Sequence, residues 1–499
     1  MPPASPLLSR LLAHPIATDV AVIGHDGVTG GAGTYGAIFA RARALSAALR
    51  AGRPSLEGAR VAFLVAPGRT WVDVLLAVLL AGGCAVPLSP LHTGPELAHA
   101  LEATGPVTLV TTRDLEPRLR PHVTDQKVLL ADERWPLPHA REAEVAADAD
   151  ALILFTSGTT GKPKGVVHTH ASIAATLASL EEAWRWRLDD RLLHVLPLHH
   201  THGVVVALLG ALWAGATARL APFEARAIWE LLAESTVFMA VPTMHYKLME
   251  ALRAADEATR ARWAHGARAL RLMTSGSASL PASLLEQVAA ATGQTILERY
   301  GMTEIGMALS NPYDGPRVPG AVGVPLPGVA VDVCDEEGAL VPDGEAGELR
   351  VRSPQMFRGY FGDEGASSAA FDAEGRFCTG DTGVRGRDGV FRLLGRTSSD
   401  ILKSGGYKLS ALEIEDVLRQ HPAIAEVAVV GVPDLEWGER VTACVALRNG
   451  HALELDELRA WAKERLAPYK VPRALERVDE LPRNPMGKVQ KQLLKARFG

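Results

Sequence analysis

Residues 152–165 read Leu-Ile-Leu-Phe-Thr-Ser-Gly-Thr-Thr-Gly-Lys-Pro-Lys-Gly, an apolar strand that passes without a break into hydroxyls, glycines and lysines. A chain built this way has to end a buried strand at a sheet edge and leave the loop facing a ligand. Gly158, Gly161 and Gly165 let the backbone turn sharply and aim N–H groups at an anion. Thr156, Ser157, Thr159, Thr160 and Lys162 add donors and charge, so the loop reads as a phosphate grip. A Walker A loop requires four residues between Gly and Gly-Lys, followed by Ser or Thr. Here two residues separate Gly158 from Gly161 and Pro163 follows Lys162, which disfavours a P-loop nucleotidase.

At 499 residues the chain exceeds what one hydrophobic core serves, so two or three domains are expected. From about residue 34 to 220 strand-like and helix-like apolar runs alternate, which implies parallel sheets covered by helices. A second cycle, at 237–241, 271–274 and 295–299, ends its strands in polar or glycine-rich residues, the place where open α/β sheets bind ligands. Between 320 and 395 short strands with close-spaced Gly, Asp and Pro suggest a β-rich subdomain flanking the same cleft. After Gly395-Arg396 the polar stretch Thr397-Ser398-Ser399-Asp400 leads into a fresh α/β pattern. The expected fold is therefore α/β: a large N-terminal domain over 1–395 with stacked, mostly parallel sheets and the β-rich subdomain, a hinge at 396–400, and a small α+β C-terminal domain over 401–499.

Net charge is −5 with no long basic run, which leaves no footprint for nucleic acid. Cys84, Cys334, Cys378 and Cys444 are far apart and form no CxxC pair, fitting a reducing compartment without a zinc or disulfide framework. The first ten residues lack an apolar core with a cleavage site, so the expected location is cytoplasmic. The stretch 71–87 is interrupted by Asp73, Gly82 and Gly83 and is too short to span a bilayer, so no membrane partner is expected.

Arg299-Tyr300-Gly301-Met302-Thr303-Glu304 sets a ring, a hydroxyl and a carboxylate at a ligand-binding strand end, suited to stack a base, touch a phosphate and hold Mg²⁺. The bland alternative makes Glu304 a cap for the next helix. Asp381, in Thr379-Gly380-Asp381-Thr382, suits ribose hydroxyls, and Arg396 offers phosphate a planar donor fork. An Asx-turn and a surface arginine are the plain readings of these two. Lys488 sits in Pro482-Arg483-Asn484-Pro485-Met486-Gly487-Lys488, where a solvated lysine is the usual outcome.

Taken in order, these five segments resemble the acyl-adenylate-forming superfamily of acyl-CoA synthetases, luciferases and nonribosomal adenylation domains. The resemblance covers nearly the whole chain. It implies that residues Thr156 to Lys164 hold the β- and γ-phosphates of ATP, Ser277, Ala278 and Ser279 the adenine side, Tyr300 the base face, Asp381 the ribose and Arg396 a phosphate. It further implies that Thr303 contacts the α-phosphate, that Glu304 with Thr156 binds Mg²⁺, and that Lys488 bridges the substrate carboxylate and the α-phosphate. The small C-terminal domain would be mobile, rotating about a pivot at Ser398 to bring Gly405, Gly406 and Tyr407 of the Ser404–Lys408 face to coenzyme A.

Within the superfamily the chain is similar to the malonyl-CoA synthetase branch, through His199-His200-Thr201-His202-Gly203, Val241-Pro242-Thr243-Met244, Glu298–Glu304, and Gly395-Arg396 through Glu413-Ile414-Glu415. The implied activity is AMP-forming ligation of malonate to coenzyme A, an acid–thiol ligase reaction. A second carboxylate buried in an acyl pocket costs several kcal/mol unless a cation pairs with it. Arg299 is the first candidate for that cation and Lys247 the second. His200, Thr201 and Met302 would line the pocket, His200 as a gate and Thr201 tuning its volume; the histidine spacing is read as lining rather than metal binding. Methylmalonate adds one methyl, worth about 1 kcal/mol in an apolar pocket, so both acids are expected to enter. The alternatives are another short or medium-chain acid, or an adenylating enzyme that loads a carrier protein; the partner is a small carboxylate and the chain is expected to act as monomer or homodimer.

Overall fold

The computed structural model describes residues 4–13, 20–23, 33–133, 135–136, 142–156, 163–405, 407–483 and 489–498. Two large sheets organise the N-terminal part. The first has seven strands in the order 359–360, 164–169, 150–156, 84–88, 60–64, 108–111, 127–130. The five from 150–156 outward are parallel, and the two at the other end run antiparallel. The second has nine strands, six of them parallel from Leu297–Met302 to Val20–Ile23, with Gly306–Ser310 and Val324–Pro325 returning antiparallel at one edge. Strands such as Cys84–Leu88 and Val237–Ala240 are buried along their whole length because helices cover both faces, which is why their sequences read as unbroken apolar runs.

Helix Arg69–Leu80 is buried at every position from Trp71 to Leu80. A helix apolar on all sides has no solvent face, and this one lies in a core shared by both sheets, with Val61, Phe63 and Leu152 on one side and Leu192, Val237 and Leu272 on the other. Among the described residues no helix is long and apolar enough to cross a membrane.

Strands Ala330–Cys334, Ala346–Arg352, Phe377–Arg385 and Phe391–Arg396 form an antiparallel sheet. Its apolar face packs on Val166, Tyr300 and Ile305, which sets it against the ends of both large sheets. Beyond residue 400 a separate five-stranded sheet carries helix Ala411–Leu418 and helix Lys491–Phe498. Its two apolar clusters, one centred on Ile414 and Val429 and one on Val430 and Cys444, draw on residues beyond 400 alone. No apolar cluster of the described residues spans the turn at 397–400. The joint is polar: Ser410 Oγ donates to the Leu394 carbonyl at 2.6 Å, and the Arg396 N–H donates to Asp400 Oδ2 at 2.9 Å.

Candidate active site

The segment read from sequence as a phosphate grip joins two paired strands. Strand Asp150–Thr156 leads into it and Lys164–Thr169 returns antiparallel, with Thr156 opposite Lys164. Among the described residues no helix begins between Thr156 and His170. Ser157, Gly158, Thr159, Thr160, Gly161 and Lys162 lie outside the described residues. At the hairpin base, the Lys164 ammonium sits 4.9 Å from the Tyr360 ring centroid and 3.8 Å from Asp363.

Thr303 and Glu304 occupy the tight turn between strands Leu297–Met302 and Gly306–Ser310. A strand follows, not a helix, so the helix-cap reading of Glu304 falls. The Glu304 carboxyl is buried and receives a hydrogen bond from Tyr360 Oη at 3.1 Å. Burial raises its pKa; the Tyr360 bond and the nearby Arg396 charge work against that rise. No lysine or arginine pairs with it among the described residues. A buried carboxylate held this way suits a hard divalent cation, which would restore its charged form. The Thr303 carbonyl accepts from His168 Nε2 at 2.6 Å.

Tyr300 and Asp381 meet across the cleft. The Tyr300 hydroxyl donates to Asp381 Oδ2 at 2.7 Å, and Arg396 Nε lies 3.1 Å from Asp381 Oδ1 while its Nη1 donates to the Thr379 carbonyl. Burial, then the neighbouring Asp381, push the Tyr300 phenol up, so it stays a donor. Ser277, Ala278 and Ser279 are exposed on the loop after strand Leu272–Ser275, with Ser277 in left-handed backbone at φ 68°. Met302 is partly buried against the cluster that holds Tyr300.

Alternation along the strand sends Arg299 the opposite way from Tyr300. Arg299 is 3 % exposed, and its Nε and Nη2 have no hydrogen-bond acceptor among the described residues. Burial pushes its pKa down to about 10. Its guanidinium lies against Gly276, where a Cβ would run into it unless the arginine shifted. Thr201 Oγ1, His202 Nε2 and Ser275 Oγ are likewise buried without partners among the described residues, and His202 lies near enough to feel the Arg299 charge. Such orphaned polar atoms are rare in folded proteins, and one beside a buried, unpaired cation marks a polar ligand pocket.

His202 faces Arg299: burial and then the Arg299 charge hold it well below the usual histidine value, and its Nδ1 lies 3.4 Å from Ser277 Oγ. It opens the π-helical turn His202–Leu209, all of it buried. His200 instead packs against His199, tilted, with ring centroids 4.1 Å apart, and His199 meets His92 at 5.4 Å; burial pushes His200 to about 4 and His199 to about 3. Among the described residues no group of three or more His, Cys, Asp or Glu is arranged to hold a metal ion. Lys247 is exposed on helix Pro242–Ala254, on the side away from buried His245, Leu248 and Met249, so the second cation candidate points to solvent and Arg299 stands alone.

In the C-terminal part, Gly406 and Lys488 lie outside the described residues. Gly405 adopts φ 58° with the Trp437 ring packed where a Cβ would point, and Tyr407 stacks on Tyr469 at 4.4 Å. Arg483 pairs with Glu426 at 2.6 Å, and Lys491 reaches both Asp400 and Glu415 at 2.6 Å. Arg483 and Lys491, which flank residues 484–488 in sequence, are each held by an ion pair. Tyr360, His168 and Gly276 were given no role by sequence, whereas His202 was read there with His199 and His200 as lining of the acyl pocket.

Two bodies joined by a polar turn, the larger holding the Tyr-Gly-Met-Thr-Glu turn and the Tyr300–Asp381–Arg396 contacts, define the class of a nucleotide-using enzyme. The chain belongs to the AMP-binding enzyme family: its main domain profile matches residues 14–361 and the AMP-binding enzyme C-terminal domain profile matches 413–488. It is 44% identical to the mitochondrial malonate–CoA ligase of Mus musculus over 481 residues, covering 88% of this chain and 82% of that protein. It superposes on ATP-bound MatB from Rhodopseudomonas palustris with a TM-score of 0.90 at 34% identity, over 99% of both chains. It superposes on a malonyl-CoA ligase ternary product complex with methylmalonyl-CoA and AMP at 0.70, with 36% identity, over 96% of this chain and 100% of the other.

Proposed function

We propose that this chain is an AMP-forming malonate–CoA ligase that also takes methylmalonate, making the acyl-CoA, AMP and pyrophosphate from the acid, ATP and coenzyme A. The observation that carries the reading is the open Nε and Nη2 fork of buried Arg299. Those two atoms are the pair that binds a carboxylate side-on through two parallel hydrogen bonds. A substrate with one carboxylate at the reacting end and a second one in this pocket fills the fork, whereas an apolar acyl tail leaves the charge buried and alone.

The chemistry follows from leaving groups. A carboxylate resists a thiol because oxide will not leave, so the acid is first joined to the α-phosphate and pyrophosphate departs. That step brings two anions together. Lys488 and Thr303 stabilise the growing charge, and each well-placed donor is worth about 3 to 4 kcal/mol. Glu304 and Thr156 are the residues that would hold Mg²⁺, which supplies charge neutralisation between the phosphates. Tyr300 presents the base face, Asp381 binds the ribose diol, and Arg396 lies beside Asp381 within reach of a phosphate. In the second step the thiol of coenzyme A attacks the carbonyl and AMP leaves, with Gly405, Gly406 and Tyr407 meeting the incoming pantetheine.

At similar identity the chain matches the ATP-bound structure, with a TM-score of 0.90, better than the product complex, with 0.70. That supports a C-terminal domain that turns between the two steps, with Thr397–Ser399 as the joint. The test is AMP formation with ATP, Mg²⁺ and coenzyme A across acetate, malonate, methylmalonate, succinate and octanoate, for wild type, Arg299→Ala and Lys488→Ala. Malonate and methylmalonate lead in the wild type, Arg299→Ala erases their lead, and Lys488→Ala makes almost no AMP. Preference for octanoate or acetate would refute the substrate assignment.

A further inference from the structure

We propose that His168 is a positioning residue for adenylation: its Nε2–H holds the Thr303 carbonyl and thereby sets the Thr303–Glu304 turn relative to the strand returning from the phosphate loop. The inference rests on the adenylating function proposed above.

His168 lies on strand Lys164–Thr169, four residues past Lys164, and is 2 % exposed. A carbonyl oxygen only accepts, so the nitrogen 2.6 Å from Thr303 O carries the proton. The other nitrogen, Nδ1, lies 3.1 Å from Ser172 Oγ on the first turn of helix His170–Trp184, and that contact keeps the ring from turning. Among the described residues this is the one hydrogen bond running directly from the 164–169 strand to the turn. The Glu304 carbonyl is held separately, by the Phe357 N–H at 2.7 Å.

The arrangement matters because the two segments belong to different sheets. The hairpin base, Thr156 and Lys164, is part of the seven-stranded sheet, whereas Thr303 and Glu304 follow a strand of the nine-stranded one. A triphosphate gripped by the loop at one end and by Thr303 at its α-phosphate bridges the two sheets. Its reach is fixed by covalent geometry, so the gap between the sheets has to be held within a fraction of an ångström. A buried imidazole is an expensive way to fill a strand position that Leu or Val would pack equally well. The Thr303 contact accounts for it.

Two variants separate position from stability. In His168→Gln the amide N–H falls near the place of Nε2 and still reaches Thr303, whereas in His168→Asn the amide falls near Nδ1 and stops short. Four quantities are measured on the full chain: Tm without ligand, malonate-dependent pyrophosphate release, coenzyme A thioester formation from preformed malonyl adenylate, and the calorimetric Kd for ATP with Mg²⁺ and with EDTA. For His168→Asn the adenylation rate drops roughly tenfold or more and the Mg²⁺-dependent gain in ATP affinity shrinks, while thioester formation stays within about threefold of wild type. His168→Gln keeps most of both. Equal behaviour of the two variants, whether both match wild type or both fall by the same factor in both half-reactions, overturns the proposal. Ser172→Ala frees Nδ1 and decides the matter if His168→Asn does not fold: the same split between half-reactions is expected, and its absence is refutation. A wild-type protein that releases no pyrophosphate with malonate would instead overturn the function on which this rests.

Discussion

Replacing Arg299 by Met removes the charge and keeps an unbranched stem of similar reach, and the structure makes the outcome two-sided. The guanidinium is buried with Nε and Nη2 unpaired among the described residues, and burial pushes its pKa well down from the ordinary arginine value, to about 10. At about 1.4 kcal/mol per pH unit, the fold carries a cost on the order of 3 kcal/mol to keep this cation where it is. Arg299→Met sheds that cost, so Tm measured by scanning calorimetry without ligand should rise. With malonate the sign reverses. The second carboxylate now enters a pocket with no cation, and leaving one half of a buried ion pair alone costs about 3 to 5 kcal/mol. That is roughly 10² to several times 10³ in kcat/KM for malonate, read by coupled pyrophosphate release. Propionate, which carries a methyl where malonate has its second carboxylate, gains from the same change, so the preference between the two acids inverts. A variant that melts lower than wild type and keeps its malonate kcat/KM would refute the reasoning, because it would make Arg299 an ordinary structural residue.

Tyr360→Phe removes the hydrogen bond that lowers the Glu304 pKa, so the half-saturating Mg²⁺ concentration for adenylation should rise severalfold with the KM for coenzyme A unchanged. Burial pushes His168, His170, His194, His200 and His245 to about 4 and His199 to about 3. Between those values and the unfolded value of 6.5 the unfolded chain binds more protons, so stability falls as pH drops through that window. Tm measured from pH 7 to 4.5 should decline steeply from just below 6.5, before most carboxylates titrate, and a flat Tm down to pH 5 would contradict the burial of these rings. Lys491→Met leaves Asp400 and Glu415 buried without their shared cation, at about 3 to 5 kcal/mol, and should show as a lower Tm and faster proteolysis within 397–399.

The parallel sheets were legible because buried strands leave unbroken apolar runs, and the loop at 156–164 was legible because glycine and hydroxyl side chains have few other reasons to follow such a strand. The return strand was harder to see. Val166 and Val167 are a short apolar pair between Pro163 and His168, too brief to distinguish from the loop's end, and only pairing with 150–156 makes them a strand. Lys247 was within reach of sequence reasoning: buried His245, Leu248, Met249 and Leu252 follow helical spacing and put Lys247 outside. Tyr360 and His168 were not legible, since each acts through a contact with a turn more than 50 residues away, set by how two sheets meet.

Asp381 spends one oxygen on the phenol of Tyr300 and the other on Arg396, yet a carboxylate offers about four lone-pair positions, so roughly half its capacity stays open for a ligand's diol. In the proposed role the ring that receives the base is therefore already braced by the group that receives the sugar. A free adenine would find the platform but not the partner that holds it, and a ribose phosphate would find the partner but not the platform. Base and sugar recognition share a single side chain, and no substitution at Asp381 can remove one and spare the other.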